Sequence, residues 1–128
     1  MIRAQYFFRP SEAGLCAWDV RRLVELSRDF PVEIIKVSDI AELDEPHWYG
    51  LEGDSPTCRS LLTHIQLIDD ADLHYPIILD PDGRVMDGMH RVCKSVLEGK
   101  KSIPAVRFPV LPDPDFVGID PHELPYDD

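Results

Sequence analysis

One short segment of the sequence combines residue types that can bind a phosphate group. Residues 87–91 read Asp-Gly-Met-His-Arg and lie between a predicted strand and a predicted helix. At such a junction the unpaired amides of the first helical turn carry partial positive charge and can bind an anion. Gly88 has no Cβ to hold a bulky anion away, and His90 and Arg91 can neutralise its charge. The predicted ligand-binding residues are Asp87, Gly88, Met89, His90 and Arg91.

The same segment has a second interpretation that needs no ligand. An arginine in the first turn opposes the helix dipole, so Arg91 requires an anionic neighbour. That neighbour is either a bound phosphate or the carboxylate of Asp87, which would also act as the helix N-cap. In the second case the chain is a non-catalytic interaction module, whose acidic C-terminal tail contacts a basic partner or a second protomer.

A loop with an acid, a histidine and two aromatic residues offers groups for catalysis. Residues 45–49 read Glu-Pro-His-Trp-Tyr, and Glu45 or His47 can serve as a general base. A nucleotide base can stack on Trp48, which is therefore a further predicted ligand-binding residue. The reaction class would be phosphoryl transfer or nucleotide hydrolysis. Alternatively, the aromatic residues pack over the edge of the core.

Charge and composition narrow the choice of partners. The 128 residues include 13 Lys and Arg against 24 Asp and Glu, a formal net charge of −11. A chain this acidic disfavours DNA and membrane surfaces as partners. Residues 75–108 hold six basic and four acidic side chains, so an anionic ligand is expected there. A homodimer is compatible with the sequence.

The cysteine and histidine patterns bear on location and on metals. The three cysteines show no CxxC spacing, and no apolar run reaches the ~18 residues of a membrane span. We therefore expect a cytoplasmic protein. No histidine pair has the i, i+4 spacing of a helical zinc site, so no structural metal is expected. Mg²⁺ is expected only with a bound nucleotide such as ATP, because it bridges phosphates.

The elements that position these residues follow from apolar periodicity and turn residues. Helices are predicted over 15–29, over 57–69 after Ser55-Pro56, and over 89–99. Strands are predicted over 32–37, 75–79, 84–87 and 103–108. Asp80-Pro81-Asp82-Gly83 is a predicted turn, because proline presets φ and glycine accepts the left-handed position. The expected fold class is mixed α+β, a single compact domain with a small mixed sheet and three main helices.

Two further expectations concern burial and the chain end. The predicted buried stripe of the second helix is Cys58, Leu61, Leu62 and Ile65. That of the third helix is Met89, Val92, Cys93, Val96 and Leu97. Residues 1–108 form the predicted domain. Residues 109–128 contain five prolines, six acids and no lysine or arginine, and predict a tail without regular structure whose apolar residues dock.

The order of these elements resembles the ParB N-terminal domain/sulfiredoxin superfamily. The resemblance covers roughly residues 31–108. It depends on Pro76-Ile77-Ile78-Leu79, the turn at 80–83, Asp87-Gly88-Met89-His90-Arg91 before a helix, and Ile103-Pro104-Ala105-Val106. It implies a stand-alone ParB-like fold in which Gly88, His90 and Arg91 contact the phosphates of a nucleotide. The helix at 15–29 is an addition to that pattern.

The sequence also departs from this family. Sulfiredoxins carry a nucleophilic cysteine between the glycine and the histidine, where this chain has Met89. A thioether cannot act as that nucleophile, so sulfinic-acid reductase activity is expected to be absent. ParB partition proteins continue into a DNA-binding helix-turn-helix domain, whereas an acidic tail follows here. Chromosome partitioning by the ParB mechanism is therefore not expected.

Overall fold

Strands and helices of this chain combine into a mixed α+β fold, which confirms the predicted fold class. The computed structural model describes residues 5–49 and 55–126. Within these residues two sheets, of three and four strands, are combined with three α-helices.

The elements follow in an order close to the predicted one. The helices are α1 (Val20–Leu26), α2 (Cys58–Asp70) and α3 (Met89–Leu97). The strands are β1 (Tyr6–Ser11), β2 (Gly14–Asp19), β3 (Glu33–Lys36), β4 (Ile77–Leu79), β5 (Val85–Asp87), β6 (Ser102–Arg107) and β7 (Phe116–Val117). Short 3₁₀ turns span Val37–Asp39, Ala41–Asp44 and Pro121–Glu123.

The four-stranded sheet has the order β3-β6-β4-β5. Strand β6 runs antiparallel to β3 and parallel to β4, and β4 and β5 form a hairpin. The hairpin turn is the predicted one. The Gly83 amide donates to the Asp80 carbonyl at 3.0 Å, and Gly83 has a φ of 85°. A positive φ suits glycine, which has no Cβ to clash.

Alternate side chains of β4 and β6 supply a core on each face of this sheet. The core against α3 contains Ile77, Leu79, Ile103 and Ala105 from the sheet with Met89 and Val92 from the helix. The core against α1 and β2 contains Ile78, Val106, Trp18 and Leu23. The sheet is therefore the middle layer between α3 on one side and α1 with the β1–β2 hairpin on the other.

The helix predicted over 15–29 is wrong for its first residues. Gly14–Asp19 is strand β2, which pairs antiparallel with β1 from Tyr6↔Asp19 to Ser11↔Gly14. Only Val20–Leu26 is helical, and Asp19 caps it by accepting a hydrogen bond from the Arg21 amide. The spacing of Cys16 and Val20 is compatible with a helix, which is why the sequence predicted one. Residues 14–19 form a strand because they pair with β1, and an analysis of helical periodicity cannot detect such pairing.

The prediction that residues 109–128 lack regular structure is also wrong. Phe116 and Val117 form β7, which pairs with β2, and Pro121–Glu123 is a 3₁₀ turn. The Trp18 indole nitrogen donates to the Pro112 carbonyl at 2.7 Å, and Leu124 is buried. The described part of the tail is therefore packed on the β1–β2 hairpin.

The predicted buried stripe of α2 is wrong. Cys58, Leu61, Leu62 and Ile65 are all exposed, and α2 has no buried residue. The helix instead turns His64, Leu67 and Ile68 towards the protein, where they are half-buried. On α3, Met89 and Val92 are buried as predicted, but Val96 and Leu97 are exposed. Thr57, not Ser55, caps α2 by accepting from the Ser60 amide.

One fully buried carboxylate holds the β4–β5 hairpin in place. Asp80 accepts hydrogen bonds from the Asp82 and Arg84 amides at 2.8 and 2.9 Å and pairs with Arg9 of β1. Burial has the largest single effect on the pKa of Asp80 and raises it, because a carboxylate loses its hydration inside the protein. The hydrogen bonds from Arg9 and from the two amides together outweigh burial, so the pKa of Asp80 is lowered.

Asp80→Asn is expected to lower the free energy of unfolding at neutral pH by about 1–3 kcal/mol, because the carboxylate partner of Arg9 is lost. The folded-state pKa lies below the unfolded value of about 4, so the carboxylate stabilises the fold above that pH. This stabilisation is lost as the pH falls through the folded-state pKa. Urea unfolding at several pH values should therefore show the difference between the two proteins shrinking below about pH 4.

The matched control is Asp82→Asn in the same turn, where the side chain is exposed. It should change stability little at any pH. If Asp80→Asn lowers the free energy of unfolding by the same amount in acid as at neutral pH, the stabilising role of the ionised Asp80 carboxylate is contradicted.

Candidate functional site

A cavity of about 680 Å³ lies beside the start of α3. Four residues of the predicted segment line it: Asp87, Gly88, His90 and Arg91. Much of the remaining wall is apolar or aromatic and includes Val24, Phe30, Val32, Leu67, Tyr75, Pro76, Ile78 and Val106. Charged side chains there include Arg28, Asp70 and Asp72. The volume is within the range of small-molecule sites.

Gly88 determines how α3 meets this cavity. It occupies the N-cap position with a φ of 109°, in the left-handed region that favours glycine. A Cβ would lie 2.6 Å from Ile77 Cγ2 and 2.8 Å from Arg91 Nη2. The N-cap role considered for Asp87 is therefore wrong. Because glycine has no side chain to cap the helix, the positive end of α3 is left for another acceptor.

Arg91 has the intramolecular partner that the second interpretation required. Its Nη2 donates to Asp87 Oδ2 at 2.8 Å, and both side chains are only 15% exposed. Gln5 Nε2 donates to the other carboxylate oxygen at 3.4 Å. The bond to Asp87 uses one of the five N–H donors of a guanidinium, and Arg91 still lines the cavity.

His90 belongs to a cluster of three stacked rings. Its Nε2 and His64 Nδ1 share a hydrogen bond of 2.8 Å. The Trp48 ring stacks on both imidazoles, with centroids 4.1 Å from His64 and 4.6 Å from His90. Trp48 also packs against the core and is not part of the cavity wall. Its ring therefore packs over the core edge, the alternative to stacking on a bound base.

His64 is a site residue that sequence reasoning missed. It lies on α2, 26 positions before His90. No local spacing connects the two histidines, because the packing of α2 against α3 alone brings them together. A lone histidine on a helix gives no signal of such a partner.

The two predicted catalytic residues lie outside the cavity wall. Glu45 binds Arg84 through both carboxylate oxygens, at 2.5 and 2.9 Å, and the bonds from Arg84 lower the pKa of Glu45. A carboxylate with a lowered pKa is a weak general base. Partial burial lowers the pKa of His47, whose ring packs edge-on to Trp48. The structure does not bring either residue to the ligand-binding segment.

Met89 has a different place from the rest of the predicted segment. Its side chain is 5% exposed and belongs to the core against α3. Its side chain therefore contributes to packing, and Met89 is the one residue of the predicted segment that does not line the cavity.

Two further features concern other sites. A second cavity, of about 710 Å³, is lined by the α2–β4 connection, α3 and β6, and none of the predicted site residues lines it.

Among residues 5–49 and 55–126, no group of three or more His, Cys, Asp or Glu is arranged to hold a metal ion. In the same residues, no helix has the length and apolar character needed to cross a membrane.

Comparison with known proteins gives no relative. No family model matches the sequence, and neither a curated protein nor a solved structure matches the chain. The resemblance to the ParB N-terminal domain/sulfiredoxin superfamily stays a prediction that depends on the residues quoted for it.

Gly88→Ala is expected to lower the free energy of unfolding by about 2–5 kcal/mol, because left-handed strain and overpacking against Ile77 add up. The matched control is Gly99→Ala. Gly99 also has a positive φ, 72°, but a Cβ there meets nothing within 4 Å. It should cost only the strain, about 1–2 kcal/mol. Equal losses of stability in chemical unfolding would show that the contact with Ile77 does not constrain this position.

Proposed function

We propose that this protein binds a small phosphorylated ligand, a nucleotide, in the cavity beside α3. One observation carries the proposal: a cavity of ligand size borders a helix start that has glycine at its N-cap and Arg91 in its first turn. An anionic group placed there would accept hydrogen bonds from backbone amides and be neutralised by the guanidinium.

The rest of the wall supports a ligand with an organic part. Phe30 and Tyr75 offer aromatic surface, and Leu67, Pro76 and Val106 add aliphatic surface. Such side chains can contact the base and sugar of a nucleotide, while a few polar groups fix its orientation. Inorganic phosphate alone would leave this surface without a partner.

The charges of the wall favour an anion that arrives with a cation. Arg28 and Arg91 are outnumbered by three carboxylates, those of Asp70, Asp72 and Asp87. Carboxylate oxygens together with phosphates are the usual ligands of Mg²⁺. Asp70 and Asp72 would hold the metal of a magnesium nucleotide, whose charge would offset theirs.

The proposal is limited to binding. Glu45 and His47, the predicted general bases, do not line the cavity. A cytoplasmic location belongs to the proposal, because nucleotides are abundant there and the cysteines at 16, 58 and 93 are free thiols.

Thermal unfolding with added ligands tests the proposal. ATP, ADP, CTP and GTP are each added with and without Mg²⁺, and phosphate and adenosine serve as fragments. A ligand at about 100 times its Kd should stabilise the fold by about 2.7 kcal/mol, which raises Tm by several degrees. At least one nucleotide should do so, with a larger shift when Mg²⁺ is present, and adenosine alone should not.

A matched pair of double variants locates the binding. Arg91→Gln with Asp87→Asn removes both charges of the pair without leaving either unpaired, and it should abolish the ligand-induced shift. Arg107→Gln with Glu33→Gln does the same to an ion pair outside the cavity wall and should keep the shift. If no nucleotide changes Tm, or if the shift survives in the first variant, the interaction-module interpretation replaces this one.

A further inference from the structure

We propose that two copies of this chain form an antiparallel dimer through one face of α2. This α2 face consists of Cys58, Leu61, Leu62 and Ile65. The three aliphatic side chains are exposed by 44%, 65% and 58% in that order. An apolar stripe on a helix normally packs against a core, and here it is turned outwards.

The α2 face is distinct from the side that the helix uses within its own fold. At 100° per residue the four side chains occupy an arc of about 100° on the helical wheel, and Asp69 of the last turn lies within the same arc. His64 and Leu67 lie outside this arc, and His64 contacts His90 of α3. Since α2 has 13 residues and none is buried, a second copy would supply the packing that the α2 face lacks.

Charges at the two ends of α2 indicate what covers this face. Arg59 is the only lysine or arginine in α2 and lies in its first turn, while Asp69 and Asp70 form its last turn. The positive charge therefore lies at the positive end of the helix dipole and the negative charges at its negative end, and both placements are unfavourable. Arg59 makes no ion pair with any residue in the described part of the chain. At the C-terminal end, Lys94 of α3 donates to the Asp69 and Ala71 carbonyls, both at 2.8 Å. Arg59 therefore remains the charge to be matched, and a neighbouring helix of opposite direction would bring acidic side chains to it.

A second copy of α2 has the required charges in the required places. On the helical wheel Arg59 and Asp70 lie within about 20° of each other, on the same flank of the α2 face. A two-fold axis brings equal flanks together and reverses the helix direction. Arg59 of each copy then lies beside Asp70 of the other, giving two symmetric ion pairs. A parallel dimer would place Arg59 of both copies at one end and Asp70 of both copies at the other, so that they could not pair.

The same symmetry predicts which side chains meet. With the axis passing between residues 63 and 64, Leu62 packs against Ile65 of the second copy. Cys58 then lies opposite position 69 of the second copy. No residue of the α2 face lines the cavity beside α3, whereas Asp70, the ion-pair partner of Arg59, does. The apolar contact of the dimer is therefore separate from the proposed ligand site, and its ion pairs border that site.

Sedimentation of the full chain tests the dimer. The mass is expected to be twice the 14.6 kDa of one chain. Leu62→Glu should give a folded monomer, because that side chain is exposed within one copy. Leu97→Glu is the matched control: Leu97 is 78% exposed but lies on α3, and its variant should stay dimeric. A monomeric wild type, or a dimer that persists in Leu62→Glu, would overturn the proposal.

Charge exchange tests the ion pairs. Arg59→Glu places like charges beside each other and should weaken the dimer at least tenfold. Arg59→Glu combined with Asp70→Arg restores opposite charges across the interface and should recover the wild-type dissociation constant. Failure of this rescue, with both variants folded by circular dichroism, would contradict the antiparallel pairing.

Oxidation with diamide reports the direction of the helices. Asp69→Cys should form an intermolecular disulfide with native Cys58, and Cys58→Ser in the same variant should prevent it. Thr63→Cys, on the far side of the helix, should not crosslink. A Cys58–Cys58 disulfide in the wild-type dimer would instead show a parallel arrangement and overturn the proposal.

Discussion

The close contact between Gly88 and Ile77 is the constraint on which the candidate site depends. Because no Cβ separates the backbone from the Ile77 side chain, β5 can turn directly into α3 against β4. The buried carboxylate of Asp80 fixes the other end of the same hairpin. Both ends of β5 are therefore held, and the start of α3 has a defined position beside the cavity. Arg91 is one turn further on and reaches Asp87 across that start.

Ion pairs within this acidic chain shape what the cavity can bind. Arg9, Arg84 and Arg91 each have a carboxylate partner from the protein itself. An anionic ligand would therefore share Arg91 with Asp87 and would lie near Asp70 and Asp72. Such a wall favours a ligand that combines negative phosphates with a divalent cation over a bare anion. The carboxylates of the wall are therefore the reason that binding at the proposed site should depend on magnesium.

Helix α2 has two different sides. Its inner side carries His64 and Leu67, which support the ring cluster at His90 and the cavity wall. Its outer side carries an apolar stripe and charges that oppose its own dipole. An antiparallel second copy would stabilise the helix from outside, while ligand contacts remain on the inside. Dimerisation and ligand binding would then use two sides of one element that meet at Asp70.

The sequence alone determined the features that depend on the backbone preferences of a few neighbouring residues. The turn at Gly83, the glycine before α3 and the four strands of the larger sheet were predictable, because backbone conformation depends on neighbouring residues. Interactions between distant residues decided the rest. Pairing with β1 made residues 14–19 a strand, packing of α2 on α3 joined His64 to His90, and the Trp48 ring stacked on both. Only the tertiary structure showed that Arg91 already has Asp87 as its partner while a cavity remains open beside it, because both depend on how separate elements pack.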